Sequence, residues 1–249
     1  MRLDKVYIDG FKNLKQLTAN FDKRRLTTVV IGQNGAGKSN LIEAIISIFR
    51  YVDLRRNELR FHYRLDYHID EAKVTLSNLA DEPAIAVDGK AVTRTEFERR
   101  KCDWFPDLVF GYYSGGSRRL ESLFDAHQRR YYNDIKLEEN PALVAKAQAE
   151  RRLFYCRPIH GVLALLAFFA FPEAKVTAEL ANKLGITGFH SMLGLFREPW
   201  YAKGKKMSAE DLWGSGGPAG STARTFKEVA FHPFALEGNA VDDYRDKKK

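Results

Sequence analysis

One stretch limits what this chain can fold into more than any other: Gly32-Gln33-Asn34-Gly35-Ala36-Gly37-Lys38-Ser39-Asn40. It follows the apolar run Thr27-Thr28-Val29-Val30-Ile31 and opens into Leu41-Ile42-Glu43-Ala44-Ile45-Ile46-Ser47-Ile48-Phe49. The order is an expected strand, then G-x-x-x-x-G-K-[ST], then a helix, which is the context that gives a P-loop match its meaning. Gly32, Gly35 and Gly37 allow a tight backbone whose N–H groups converge on phosphate oxygens. The helix that follows adds the partial positive charge of its N-terminus. Lys38 is expected to reach the outer phosphates and the Ser39 hydroxyl to hold Mg²⁺, with Gln33, Asn34, Ala36 and Asn40 completing the loop. A glycine-rich turn before an ordinary core helix is the alternative, and it leaves the register of the three parts unexplained. The implied ligand is a nucleoside triphosphate.

The flanking sequence sets this loop in an α/β chain. Leu3, Val6, Ile8 and Phe11 mark a first strand; Leu14, Leu17, Ala19 and Phe21 mark a second. Lys12 and Asn13 lie between them, where a cation could approach a nucleotide; a solvated turn lysine has the same spacing. Leu59 to Asp70 alternates strictly, the signature of a half-buried strand. Its polar positions include His62, Asp66, His68 and Asp70, read as facing solvent because side chains in a row along a strand do not converge on a metal. Lys73–Leu79 and Ala84–Val92 read as strands turning at Asp88-Gly89, followed by a charged helix over Thr95–Lys101. Residues 59–101 therefore look like an antiparallel insertion after a P-loop core of residues 1–58.

Farther on, Asp107–Tyr113 and Leu153–Cys156 read as buried strands, and 121–152 as charged helix broken at Asn140-Pro141. Val162–Phe171 is an apolar helix stopped by Pro172, and Val176–Leu184 a helix ended by Gly185. Leu165–Glu173 imitates a strand ending in acidic metal ligands but has no aspartate at the ligand position. Gln128 could serve as a metal or water contact but, alone on an expected helix, reads as surface; His160 at a helix start reads as a structural polar contact rather than a functional group. A strand is expected around Met192–Phe196 and another over Ala230–Leu236. The glycines from Gly204 to Gly220 mark 201–249 as flexible loop and charged tail. The whole is expected to be one head region, with 102–200 its helical and strand part.

Charge and apolar content exclude some roles. The longest apolar run, Val162 to Phe171, is far short of the roughly 20 residues that a membrane span needs. The two cysteines, Cys102 and Cys156, lack metal-ligand spacing and point to a reducing compartment, the cytoplasm. A net charge of +8 permits an anionic partner such as DNA. Its basic residues are spread over short clusters, such as Arg99-Arg100-Lys101, more typical of solvated surface than of a nucleic-acid face.

Asn34-Gly35-Ala36-Gly37-Lys38-Ser39-Asn40-Leu41-Ile42-Glu43-Ala44-Ile45, behind Ile8-Asp9-Gly10-Phe11-Lys12-Asn13-Leu14, resembles the ABC-type ATPases of the SMC, RecF and OLD kind, often called AAA family ATPases. Gly111-Tyr112-Tyr113-Ser114-Gly115 and Arg157-Pro158-Ile159-His160 look like restriction-system-associated, antiphage-defence members. The resemblance is clear over residues 1–50 and beyond them is one of order and style. It implies ATP and Mg²⁺ as ligands, and a homodimer or higher oligomer closing over ATP. It also implies a partner effector, such as a nuclease, and a role in DNA transactions.

The departures are as informative. Ser114-Gly115-Gly116-Ser117-Arg118-Arg119 superficially matches that group's signature, yet no apolar strand with Asp-Glu follows it. It reads instead as a strand-to-helix turn near the nucleotide. Without that acidic pair the chain is expected to be either the N-terminal part of a longer protein or a form that has lost hydrolysis. Three functions fit: an ATP-hydrolysing switch, a nucleotide-gated scaffold without turnover, and a small-molecule kinase. The β-leader and the large insertion disfavour the last.

Overall fold

The computed structural model describes residues 1–22, 24–55, 59–115, 117–190 and 212–229. The chain divides into two compact units: one of residues 1–128 and 151–156, the other of residues 129–150 and 157–249.

The first unit is built on a six-stranded antiparallel sheet, in the order β2-β1-β3-β4-β5-β6. Its strands are β1 (Arg2–Asp9), β2 (Leu17–Asn20), β3 (His62–Ile69), β4 (Ala72–Ser77), β5 (Ile85–Val87) and β6 (Lys90–Ala91). The leader and the insertion, separate in the sequence reading, thus share one sheet, because β1 pairs with β3. Alternation explains why. Register puts Val6 opposite Leu65, Leu65 opposite Leu76 and Leu76 opposite Ile85, so one apolar row crosses four strands. A second row runs Leu3, Tyr67, Val74, Val87.

Helix α1 (Lys38–Leu54) covers this face with Leu41, Ala44, Ile48 and Val52, spaced three and four apart and all buried. Burying each of the leucine, isoleucine and valine side chains stabilises the unit by roughly 1.5–3 kcal/mol. Phe49 packs edge-on against Tyr67 and Phe105, closing the core. Two short helices, α2 (Arg94–Arg99), N-capped by the Thr93 hydroxyl, and α3 (Lys101–Trp104), add Phe97 and Trp104 to it. A separate parallel pair, β7 (Val109–Tyr112) with β8 (Leu153–Cys156), is packed by Phe124 and Ile46.

Helix α4 (Asp125–Ile135) carries the chain into the second unit, which holds α5 (Pro141–Ala149), α6 (Pro158–Ala170), α7 (Ala174–Leu184) and α8 (Gly217–Val229). Asn140 caps α5 through its side chain, with Pro141 at the first helical position, and Gly185 ends α7.

Several expectations need correction. Thr27–Ile31 does not form a strand: Leu26 is 92% exposed and Ile31 88%. A strand is held by neighbours on its edges, and no described strand pairs with this run. The β7 strand is less buried than its composition implies, with Phe110 and Tyr112 exposed. Residues 217–224, read as loop, lie in α8. His68 does not simply face solvent. A bulge in β1 between Leu3 and Lys5 turns the buried Asp4 carboxylate onto His68 Nδ1 and Arg2 Nε. Asp66 is buried as well, taking Thr75 Oγ1 at 2.7 Å and Arg64 Nε at 3.1 Å. The strands expected around 192–196 and over 230–236 lie outside the described residues.

Candidate functional site

The site begins with the turn that ends β1. Gly10 and Phe11 N–H groups both donate to the Leu14 carbonyl, at 3.0 and 3.2 Å. This folds Lys12 and Asn13 to the tip while Leu14 stays buried as the anchor. Leu14 then fixes the phosphate loop. Gly37, at φ +95°, has room for no side chain: a Cβ there would lie 2.7 Å from Leu14 Cδ2 and 3.0 Å from Asn13 Oδ1. Asn13 Nδ2 donates to the Gly35 carbonyl at 2.9 Å, and Asn40 Nδ2 donates to Asn13 Oδ1. The turn and the loop are therefore one stitched structure.

Helix α1 starts immediately after Gly37, and no side chain caps it. The N–H groups of Lys38, Ser39 and Asn40 thus have no intrahelical acceptor and point out of the helix start, where the dipole is positive. Lys38 arches over the loop, its Nζ donating to the carbonyls of Gly32 at 2.6 Å and Gln33 at 2.8 Å. An ammonium fixed at the rim of exposed N–H groups is a donor set suited to a polyphosphate. Ser39 Oγ sits in the first turn of the helix, on a residue open to solvent, and is the hydroxyl that would hold Mg²⁺.

The structure adds two residues that the sequence reading left out. Glu43, one turn beyond Ser39, has a side chain only 5% exposed and is paired with both Lys12 and Arg119. Arg119 also donates to Asn40 Oδ1. Arg119, which follows β7 in the chain, thus lies beside Asn40 at the end of the loop. Lys12 is close by, with its ammonium on Glu43. A faint signal for Glu43 was present, a carboxylate set among the apolar positions Leu41, Ala44 and Ile45. Its pairing with Arg119 spans 76 residues of chain and has no local signature.

Other polar residues are not brought to this loop. Asp53, near the far end of α1, lies roughly 22 Å along the helix from Lys38 at 1.5 Å per residue. It is buried between Lys101 Nζ and His127 Nε2, each at 2.7 Å. Burial pushes the Asp53 carboxyl up, but the hydrogen bonds and charges of His127 and Lys101 outweigh it and hold it at about 2. Lys101, read from its cluster as solvated, in fact turns inward. Gln128 follows His127 and is placed at this far end. His160 Nδ1 accepts the Arg157 N–H at 2.8 Å, a helix-start contact. Leu165–Ala170 is helix, not strand. Among the described residues no group of three or more His, Cys, Asp or Glu side chains is placed to hold a metal ion, and no helix is long and apolar enough to cross a membrane.

Residues 1–110 match the family model of an AAA ATPase domain. The match takes in the six-stranded sheet, the turn, the phosphate loop and all of α1. No curated protein matches the sequence. Among solved structures, the recombination mediator protein RecF-ATP in the RecFOR pathway is similar, at 18% identity and a TM-score of 0.32, covering 73% of this chain and 58% of that one. The chain thus spans less than two thirds of the length of that protein.

Proposed function

We propose that this chain is an ATP-binding conformational switch of the ABC type, which hydrolyses ATP and acts on DNA or in antiphage defence with a partner effector. The observation that carries the reading is the loop itself: a left-handed Gly37 locked on Leu14, an uncapped helix start, and the Lys38 ammonium over the rim. The AAA ATPase domain match over residues 1–110 supports it.

The residues divide the work. Backbone N–H groups from Gly35 to Asn40 cradle the phosphates, Lys38 neutralises charge on the outer ones, and Lys12 approaches from the β1–β2 turn. The Ser39 hydroxyl would hold Mg²⁺, which would supply charge screening at the outer phosphates. The general base is not assigned to any described residue. In this reading two copies close over ATP, in the cytoplasm, and open after turnover.

Titration of the full chain with MgATP by calorimetry tests the binding step. Saturable binding is expected, and its absence overturns the reading. Phosphate release on mixing with MgATP distinguishes a hydrolysing switch from a scaffold that binds without turnover, the second reading.

A further inference from the structure

We infer that Arg119 is a triphosphate-sensing positioning residue, held on Glu43 until a terminal phosphate competes for it. The inference rests on the nucleotide reading above and goes beyond it by naming the residue through which that site tells a triphosphate from a diphosphate.

Four observations carry it. Glu43 is nearly inaccessible, yet its carboxylate meets two cations from two different segments, Lys12 and Arg119. Both cations are themselves about half exposed, so each can leave Glu43 without being stranded in the core. Arg119 also grips Asn40, a residue of the first helical turn, beside the N–H groups that face a phosphate. Finally, Asn40 bonds Asn13, and Asn13 bonds the Gly35 carbonyl, so a shift of Arg119 is felt directly in the loop.

A buried carboxylate and a bound polyphosphate are alternative anions for the same guanidinium. Arginine suits both because its planar fork matches carboxylate and phosphate geometry alike. A diphosphate ends short of the outermost position, so it leaves Arg119 on Glu43. A triphosphate draws it away from Glu43 and Asn40, and the Asn40–Asn13–Gly35 chain of contacts carries the change into the loop.

Calorimetric titration with MgATP and MgADP, on the full chain and on the variants Arg119→Ala, Arg119→Lys and Glu43→Gln, tests this. Each variant is first checked for a native circular dichroism spectrum. Arg119→Ala is expected to lower the ratio of ATP to ADP affinity about tenfold, the scale of one charge-assisted hydrogen bond. Arg119→Lys, which keeps the charge without the fork, restores part of it. Glu43→Gln is expected to tighten ATP binding roughly two- to fivefold, because the competing anion is gone. An unchanged ratio in Arg119→Ala, or weaker ATP binding in Glu43→Gln, overturns the proposal and leaves the nucleotide reading intact. Failure of the unmodified chain to bind either nucleotide removes both.

Discussion

Replacing Asp53 with asparagine removes the one anion that Lys101 and His127 share inside the first unit. Folding lowers this carboxyl from its ordinary 3.8 to about 2. At about 1.4 kcal/mol per tenfold change in proton affinity, the ionised form contributes about 2.5 kcal/mol at neutral pH. Because folding depresses the value, this contribution is complete well above pH 3.8 and is lost as pH falls through about 2. Asp53→Asn also takes this anion from the buried His127 and leaves Lys101 with Glu98, 3.2 Å away. Such losses at buried pairs run to about 3–5 kcal/mol, and the partial exposure of Lys101 sets the expected cost near 3 kcal/mol. For a unit of this size that is a fall in melting temperature of roughly 10 °C. Urea unfolding of both proteins at about pH 7, 4 and 2.5 reads it. The gap is expected to hold between pH 7 and 4 and to narrow by about 1.3 kcal/mol between pH 4 and 2.5. A variant as stable as the parent at pH 7, or a gap that stays constant or widens in acid, refutes the reasoning.

Two further outcomes follow from particular contacts. Gly37→Ala places a Cβ 2.7 Å from Leu14 Cδ2 at φ +95°; backbone strain alone costs roughly 1–2 kcal/mol, and MgATP affinity measured by calorimetry is expected to fall at least tenfold. Tyr67→Phe removes the hydroxyl that donates to the buried Trp104 carbonyl at 2.7 Å, and urea unfolding is expected to show a loss of about 1–2 kcal/mol with nucleotide affinity unchanged.

What could be read from the sequence was local. The β3 strand is legible because Phe61, Tyr63, Leu65 and Tyr67 alternate onto one buried face. The starts and ends of α5 and α7 are legible because Asn140, Pro141 and Gly185 act within their own turn. Thr27–Ile31 misleads because composition gives strand propensity but supplies no strand alongside. The α8 helix is hidden for a different reason. Its glycines look like loop, yet a Cβ at Gly217 would lie 2.1 Å from the Ile135 carbonyl oxygen, so the residue is small because another backbone lies against it. The same division runs through the site. The phosphate loop is a contiguous word and stands out, whereas Glu43, Arg119 and the inward turn of Lys101 depend on contacts between distant segments.

The most direct measurement is MgATP binding by the unmodified chain beside Lys38→Ala, in calorimetry at matched ionic strength. Lys38 is held by loop carbonyls at 2.6 and 2.8 Å rather than by the core, so the variant is expected to fold normally by circular dichroism. Its ATP affinity is expected to fall at least tenfold, the scale of a lost charge-assisted phosphate contact. A folded Lys38→Ala that binds ATP as tightly as its parent contradicts the assignment of this loop as the phosphate site.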